Sequence, residues 1–397
     1  MKIALIKEGK IPSDNRVALT PQQCKTVMEL YPQISIYVQH SAGRCFSDDE
    51  YKAAGITVTD DISHCDVMLG IKEVPVEMLI DNKTYLFFSH TKKLQPYNRH
   101  LLQEIIRKNI TLIDYECLEH EDGARIIGFG FFAGVVGAHN GMLAFGKRTG
   151  AFSLQKVSEA KTFQHLIHTY FGLKIPPVKI VLTGSGRVSH GLVEIVNLLG
   201  IHEVEPEDFL NKTFKYPVYV HLKGGLLYED ENGNYSREDF HKNPANYKCK
   251  FHKYIPHTDI LMNGIYWDKD IPRLFEMEDI SKPDFKIQTI ADVTDDMHGS
   301  VPCNLGDSTI EDPVYGVDKK SGEKTEPFLP TSIDIMAVGN LPNELPRDAS
   351  TYFGEQMIKF IIPEMLKDKS DIIYKATITK RGSLNTPFLY MKEYASI

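Results

Sequence analysis

The chain has 397 residues, which is too long for one ordinary hydrophobic core, so two domains are expected. Hydrophobic residues make up 42% of it and charged residues 25%, values typical of globular proteins that exclude a disordered or fibrous chain. The net charge of −8 comes from mixed acidic and basic residues, with no basic stripe and no long apolar run. We therefore expect neither nucleic acid nor a membrane as a partner.

The N-terminal residues and the cysteines favour a cytoplasmic protein. The chain starts with Met1, Lys2 and a four-residue apolar run, and charged residues follow; this is too short for a secretory signal. The six cysteines are scattered, without a Cys-x-x-Cys pair. We therefore expect neither a disulfide framework nor a metal site.

Short apolar runs alternate with amphipathic stretches in the first part of the chain. Buried strands are predicted at residues 3–6, 34–38, 67–71, 85–88 and 111–113. Helical spacing covers residues 21–30 and 97–107, and Thr20-Pro21 is a typical N-cap followed by proline in the first turn. Strands separated by helices predict a parallel sheet with helices on its faces.

Residues 128–145 are rich in small side chains and almost uncharged. This composition is typical of a helix that packs closely against its neighbours, and a hinge or a pocket is the alternative. We expect close packing.

The strongest local motif lies at residues 178–200, where an apolar strand runs into a glycine turn and an amphipathic helix. Gly184 is expected to make the tight turn, and Gly186 to let a pyrophosphate approach the helix N-terminus. Ser189 replaces the usual third glycine, and Gly191 follows. The motif predicts a dinucleotide site, and the alternative is a glycine turn without a ligand.

An acidic residue about 20 positions after the turn would bind a ribose hydroxyl and favour NAD over NADP. Glu205 has that spacing, but it is equally compatible with a solvated glutamate in an acidic loop. The choice between NAD and NADP stays open.

The remaining segments complete the predicted architecture. Residues 207–258 are polar and read as an insertion that is compatible with a hairpin, and further strands are predicted at 259–262 and 287–292. An amphipathic helix at 349–366, kinked at Pro363, is expected to return to the first domain. The predicted fold class is α/β, with two Rossmann-like domains, parallel sheets flanked by helices and an interdomain cleft. Residues 1–133 plus 345–397 would form one domain, and 134–344 the dinucleotide-binding domain.

Two residues in the first domain sit where strands end. Lys72 closes an apolar run, and desolvation there would lower its pKa toward that of a useful base. His90 closes the next run and titrates near neutral pH. Taken alone, each of these two residues is more consistent with a structural or solvated side chain. Together on neighbouring strands, they indicate an acid–base pair. The cations that could bind carboxylates are Arg16, Lys93 and Arg125.

Several long motifs resemble the lysine-forming saccharopine dehydrogenases and the lysine–ketoglutarate reductase part of bifunctional lysine-degrading enzymes, which are relatives of alanine dehydrogenase. The motifs are NRVALTP, GIKEVP, FFSHTKK, LIDYECLE, ARIIGFGFFAGVVG, TGSGRVSHG, NGIYW, DSTIEDP and NLPNELP. They run from one end of the chain to the other.

The resemblance implies an NAD(P)-dependent oxidoreductase of lysine metabolism that acts on CH–NH groups and interconverts saccharopine with lysine and 2-oxoglutarate through an imine. Lys72 would handle the amine proton during hydride transfer, and His90 would serve carbinolamine formation and imine hydrolysis. The implied substrate-binding residues are Arg16, Glu73, Lys93, Glu116 and Arg125, and the implied cofactor-binding residues are Gly184, Ser185, Gly186, Arg187, Val188, Glu205 and Asp292.

Two alternatives remain beside this interpretation. One is an alanine dehydrogenase-like amino-acid oxidoreductase, and the other is a relative that binds NAD(P) without catalysis. Relatives with the turn GSGRVS tend to use NADP, and those of the fungal type use NAD. The expected partners are small molecules, and a homo-oligomer is compatible with the sequence.

Overall fold

A computed structural model describes residues 1–396 and divides the chain into two compact units. The first unit comprises residues 1–129 together with the chain from Pro346 onward, and the second comprises Gly130–Leu345. The first boundary lies four residues before the predicted one, because a long helix starts at Gly130. Within the described residues, none of the helices combines the length and apolarity that a membrane span requires.

The first unit is built on a sheet whose first six strands are all parallel. These strands are β1 (Lys2–Leu5), β2 (Ser35–Gln39), β3 (Thr57–Thr59), β4 (Val67–Leu69), β5 (Thr84–Phe87) and β6 (Thr111–Asp114). Their order is β3-β2-β1-β4-β5-β6. The chain leaves β1 to one side and later returns through β4 on the other, so a switch point lies between these two strands.

The helices of this unit start where the sequence supplies a cap. They are α1 (Pro21–Leu30), α2 (Asp48–Ala53) and α3 (Arg99–Arg107). Thr20 accepts the N–H of Gln23, and the Gln23 side chain accepts the N–H of Thr20 in return. This capping box satisfies two backbone donors, and the predicted bounds of α1 are confirmed.

The second unit opens with α4 (Gly130–Thr149), α5 (Phe163–His168), β7 (Lys179–Thr183) and α6 (Arg187–Leu198). Helices α4 and α6 touch backbone to backbone. A Cβ on Gly134 would lie 1.9 Å from the carbonyl oxygen of Val188, and one on Gly191 would lie 2.1 Å from that of Phe131. The predicted close packing of the small-residue run is confirmed.

A second eight-stranded sheet organises this unit. The elements after α6 are β8 (His202–Glu203), α7 (Pro206–Asn211), β9 (Val218–Leu222), β10 (Tyr228–Glu229), α8 (Arg237–Lys242), β11 (Lys248–Cys249), β12 (Ile260–Asn263), β13 (Thr289–Asp292), β14 (Val314–Asp318), β15 (Lys324–Thr325) and β16 (Ser332–Met336). The strand order is β15-β14-β16-β13-β12-β7-β9-β8. Strand β14 runs antiparallel to β16, and β15 runs antiparallel to β14; the other pairings of this sheet are parallel.

The segment 207–258 is only partly an insertion. Strands β10 and β11 form the small antiparallel sheet with which its composition is compatible. Strand β9, however, pairs with β7 in the main sheet, so interpreting the whole segment as an addition is wrong. The alternation of apolar residues in β9 is short, and the polar residues on both sides hide it.

The C-terminal segment returns to the first unit. It contains α9 (Pro346–Gln356), a π-helical turn (Met357–Ile361), α10 (Ile362–Met365), α11 (Asp371–Ala376), β17 (Thr377–Lys380), β18 (Ser383–Leu384) and α12 (Lys392–Ala395). Strand β17 pairs antiparallel with β6. The Gln23 side chain donates to the carbonyl of Thr351 at 2.8 Å, which ties α1 to α9. The predicted α/β class with two parallel-stranded sheets flanked by helices is confirmed.

Candidate functional site

Polar side chains gather at the carboxyl edge of the first sheet. Lys72 and Glu73 follow β4, His90 follows β5, and Glu116 follows β6. The loop after β1, on the other side of the switch point, carries Arg16. In open parallel sheets this edge is where ligands bind.

A partly buried carboxylate fixes the backbone at the switch point. Glu8 follows β1, and its two oxygens accept the N–H groups of Ile71 at 2.7 Å and Lys72 at 2.9 Å. Burial raises the pKa of Glu8 to about 7 against the effect of these hydrogen bonds. The start of the Lys72 loop is therefore held by a side chain from the neighbouring strand.

Lys72 itself lies in a largely desolvated position among other charges. Burial lowers its pKa, and the positive charge of Arg16 lowers it further. The Arg16 side chain is 4% exposed; its Nε donates to Asp14 at 2.9 Å, and its guanidinium lies 4.2 Å from the centre of the Phe129 ring. The ion pair with Asp14 compensates for burying this guanidinium.

Glu73 belongs to the same group of charges. Lys10 donates to its Oε2 at 2.7 Å, while its buried Oε1 has no hydrogen-bond partner among residues 1–396. Burial opposes ionisation of Glu73, but the Lys10 hydrogen bond and the nearby His90 charge hold its pKa below the usual value. One oxygen of an ionised, buried carboxylate is thus left available for a cationic ligand.

His90 lies near the carboxylates of Glu73 and Glu116. Its Nδ1 is 3.7 Å from Glu116 Oε2, and its ring stacks on Phe88. Arg125 forms a close ion pair with the other oxygen of Glu116. Burial would raise the pKa of Glu116, but His90, Arg125 and the charge of Lys93 together lower it to about 2.

The carboxylate of Asp114 stabilises the loop that carries His90. Asp114, at the end of β6, is fully buried and accepts the N–H of Glu116 at 2.7 Å and that of Ser89 at 3.2 Å. Burial raises its pKa to about 6. His90 has a left-handed φ of 51°, so this loop has an unusual conformation that the hydrogen bonds to Asp114 stabilise.

All seven residues predicted for this sheet therefore share one network of charges: Arg16, Lys72, Glu73, His90, Lys93, Glu116 and Arg125. Sequence reasoning missed Glu8, Lys10, Asp14 and Asp114, which hold these residues in place. The spacing of Asp14 and Arg16 and the position of Asp114 at a strand end were the available signals.

The glycine turn of the second unit has the expected strand–turn–helix form. Gly184 has φ +102°, and a Cβ there would lie 2.4 Å from the carbonyl oxygen of Gly264, so only glycine fits. A Cβ on Gly186 would meet nothing within 4 Å. No side chain of the described residues caps the α6 helix that starts at Arg187. Glycine at 186 is thus not required for packing, and it leaves the helix N-terminus open to an anion.

The other predicted residues of this turn lie beside that opening. Ser185 is exposed, Arg187 and Val188 form the first turn of α6, and the Ser189 hydroxyl donates to the carbonyl of Gly186 at 2.8 Å. These features fit the pyrophosphate of a dinucleotide.

Hydrogen bonds through the Asn263 side chain connect Thr183, which precedes the glycine turn, to Asp292. Thr183 Oγ1 lies 2.7 Å from Asn263 Oδ1, and Asn263 Nδ2 donates to Asp292 Oδ1 at 2.8 Å. Asn304 donates to the other Asp292 oxygen, and burial raises the pKa of this carboxyl to about 6. Asp292 therefore lies at the same carboxyl edge as the turn.

Glu205 does not follow the strand that lies beside β7. Glu205 follows β8, but β9 rather than β8 is the neighbour of β7, because residues 212–222 bring β9 into that position. Glu205 is exposed at the start of α7 on the outer side of the sheet. The residue that directly follows β9, opposite Gly184, is Lys223.

Among the described residues, no group of three or more His, Cys, Asp or Glu side chains is arranged to hold a metal ion.

Comparison with protein families finds a match for the N-terminal part of the chain. Residues 4–136 match the family described as alanine dehydrogenase/PNT, N-terminal domain. This range runs from within β1 to beyond β6 and includes all residues of the charged edge.

Curated relatives cover nearly the whole chain. Alpha-aminoadipic semialdehyde synthase, mitochondrial, of Mus musculus is 30% identical over 98% of this chain, and that of Arabidopsis thaliana is 28% identical over 98%. This chain spans about half the length of these relatives: 47% and 41%, respectively. Saccharopine dehydrogenase [NAD(+), L-lysine-forming] of Candida glabrata is 27% identical over 90% of this chain and 91% of its own. The resemblance read from the motifs is confirmed.

Two solved structures share the fold. An L-alanine dehydrogenase aligns over the full length of both chains with a TM-score of 0.68 and 16% identity. A transhydrogenase from Sinorhizobium meliloti covers 97% of this chain with a TM-score of 0.61 and 16% identity.

Proposed function

We propose that this chain, whose residues 4–136 are an alanine dehydrogenase/PNT N-terminal domain, is a nicotinamide-dependent oxidoreductase that interconverts saccharopine with lysine and 2-oxoglutarate. The observation that carries the proposal is the charged network at the carboxyl edge of the first sheet, which contains Lys72, His90 and the cations Arg16, Lys93 and Arg125. Saccharopine has three carboxylates and a secondary amine, so it needs such cations and such a base.

The overall reaction balances as saccharopine, water and NAD(P)⁺ giving lysine, 2-oxoglutarate, NAD(P)H and a proton. The bound nicotinamide would supply or accept the hydride. The turn at Gly184 and Gly186, with the N-terminus of α6, would hold its pyrophosphate. The Asn263–Asp292 pair lies on the same edge and would position the cofactor.

Lys72 would take the proton from the secondary amine. A buried amine with a lowered pKa is neutral in a larger fraction of molecules near neutral pH, as a general base requires. Glu8 would aim this residue by holding its backbone.

His90 would move protons to and from the carbinolamine oxygen as water adds to the imine. The carboxylates of Glu73 and Glu116 lie near this ring. Glu73 Oε1, which has no partner among the described residues, would accept the ammonium group of lysine. Arg16, Lys93 and Arg125 would bind carboxylates.

An assay with purified protein, lysine, 2-oxoglutarate and NADH or NADPH tests the proposal through the absorbance of reduced nicotinamide. We expect oxidation that requires both lysine and 2-oxoglutarate. Activity with pyruvate and ammonium instead would indicate an alanine dehydrogenase-like enzyme. Cofactor binding without any turnover would indicate a non-catalytic relative.

We further propose that NADP is preferred over NAD. The position after the strand next to β7 holds Lys223 instead of the carboxylate that would bind a ribose 2′-hydroxyl. The nearest acid on β8, Glu203, accepts a hydrogen bond from Tyr219. A lysine at this position suits a 2′-phosphate.

Reversing the charge at this position tests the preference. Lys223→Glu should lower kcat/KM for NADPH by about 10- to 100-fold, since a charged hydrogen bond is lost, and leave the value for NADH nearly unchanged. Lys215→Glu, an exposed lysine before β9, is the matched control. Equal losses with both cofactors would refute the role of Lys223.

A further inference from the structure

The second unit contains a cavity at the edge of its sheet opposite to the glycine turn. Its volume is about 440 Å³, and its lining includes Arg148, Lys282, Phe285, Lys286, Gln288 and Lys319. Phe285 and Gln288 precede β13, and Lys319 follows β14, which runs antiparallel to β16. The cavity therefore lies at the amino ends of the parallel strands. The turn lies at their carboxyl ends, at least the length of one strand away, or about 15 Å.

One cation of the cavity is fixed in place. Arg148 ends α4, and its side chain is only 10% exposed. It donates to Asp334 at 3.0 Å and to the carbonyls of Leu329 at 3.0 Å and Ser332 at 2.9 Å. Asp334 is fully buried, so its charge offsets that of Arg148 and adds no negative surface to the cavity.

The positive charges of Lys286 and Lys319 are not offset by a carboxylate in this way. The side chain of Lys319 donates only to the carbonyl of Phe285, at 3.4 Å, and neither it nor the Lys286 side chain forms an ion pair within residues 1–396. Burial lowers the pKa of Lys319, and the charges of Arg148 and Lys286 lower it further. Lys282, by contrast, is neutralised by Asp279 at 2.6 Å. The cavity therefore holds about two uncompensated positive charges.

A free hydrogen-bonding group adds to these charges. The Gln288 side-chain amide lines the cavity and makes no hydrogen bond within the described chain, and it can donate to an anionic oxygen. The buried ring of Phe285 and Pro283 supply an apolar wall. Lys319 is partly buried and Lys286 is exposed, and both line the same cavity. Their like charges repel each other, and an anion would relieve that repulsion.

We propose that this cavity is a second ligand site, separate from the dinucleotide turn, which binds a small anion with at least two negative charges carried on carboxylate or phosphate groups. Lys286 and Lys319 contact its charges directly, and Arg148 orders the wall. The ligand joins the end of α4 to the loops before β13 and after β14, so its binding stabilises the second unit.

Thermal unfolding with sodium pyrophosphate and with sodium citrate tests this site, with sodium chloride at equal ionic strength as the reference. One probe carries phosphates and the other carboxylates, so the stronger one identifies the ligand chemistry. We expect a saturable rise in Tm with at least one probe at millimolar concentration.

The double variant Lys286→Gln/Lys319→Gln should bind that probe at least about 10-fold more weakly, because two charge-assisted contacts are lost. Lys320→Gln, the exposed neighbour of Lys319, should bind it like the original chain. Circular dichroism verifies that the double variant folds. An equal Tm rise in the double variant, which would place the anion at the glycine turn or on the general surface, overturns the proposal. So does the absence of a saturable rise with both probes in the original chain.

Discussion

The carboxyl edges of the two sheets carry different functional groups, although the strands of both sheets are arranged alike. Each sheet has six parallel strands, and two further strands join one side of it through antiparallel pairings. In the first unit the edge carries ionisable side chains, such as Lys72 and His90, held by buried carboxylates. In the second unit the edge consists of a glycine turn and an amide-linked aspartate.

Under the proposed function, proton transfer belongs to the first edge and cofactor binding to the second. Burial shifts the pKa of a lysine or a carboxyl group and so prepares it for acid–base work. A pyrophosphate requires backbone N–H groups and space, which a glycine turn provides without any titratable group. Four changes test the chemistry of the two units, from the largest expected effect to the smallest.

Replacing the candidate base should have the largest effect. Lys72→Met should lower kcat by about 10³-fold, since general-base catalysis is lost, while the Kd for the dinucleotide stays the same. Stopped-flow turnover and fluorescence titration of reduced nicotinamide measure the two quantities. Lys52→Met, an exposed lysine of the same unit, is the control. Unchanged turnover in Lys72→Met would remove the catalytic role from the first edge.

Buried carboxyl groups allow a test of pH dependence in the second unit. Burial raises the pKa of Glu344 to about 7, although Asn140 donates to it at 2.9 Å. The native state thus retains a proton that the unfolded chain has lost, so this residue lowers the free energy of unfolding as pH rises from about 4.5 through 7.

Glu344→Gln keeps an acceptor for Asn140 and removes the charge. It should therefore increase the free energy of unfolding at pH 8, by at most about 3 kcal/mol, and change it little at pH 4. Urea unfolding at both pH values measures this. Glu323→Gln, at an exposed glutamate of the same unit, is the matched control and should change the free energy of unfolding little at either pH. Equal effects at both pH values would mean that Glu344 does not titrate as described.

The glycine turn predicts a smaller effect. Gly186→Ala should leave Tm unchanged, because a Cβ there meets nothing within 4 Å, and weaken dinucleotide binding by about 10-fold. Gly184→Ala is the contrasting variant and should destabilise the fold, since its Cβ would clash with the Gly264 carbonyl. Normal binding in Gly186→Ala would contradict a pyrophosphate at this position.

Glu205 should matter least. It lies after the outer strand β8, so Glu205→Ala should change the Kd for NAD and for NADP by less than about twofold, as for a surface residue. Isothermal titration with each cofactor measures this. A selective loss of NAD affinity would restore Glu205 as the ribose ligand and refute the assignment to Lys223.

The sequence alone determined the features that depend on short-range order. The bounds of α1 follow from the Thr20–Gln23 capping box, and the turn at Gly184 follows from an apolar strand that leads into a helix. Lys72 and His90 were identifiable because each ends an apolar run, and in a parallel sheet such ends share one edge.

Only the tertiary structure decided which strands are neighbours and which side chains hold the site. Strand β9 inserts between β7 and β8, which moves Glu205 outward and brings Lys223 beside the turn. Glu8 and Asp114 act on loops 63 and 25 residues away along the chain. Neither the spacing nor the composition encodes such pairings, because hydrogen bonds between distant segments form only when the sheet order has brought them together.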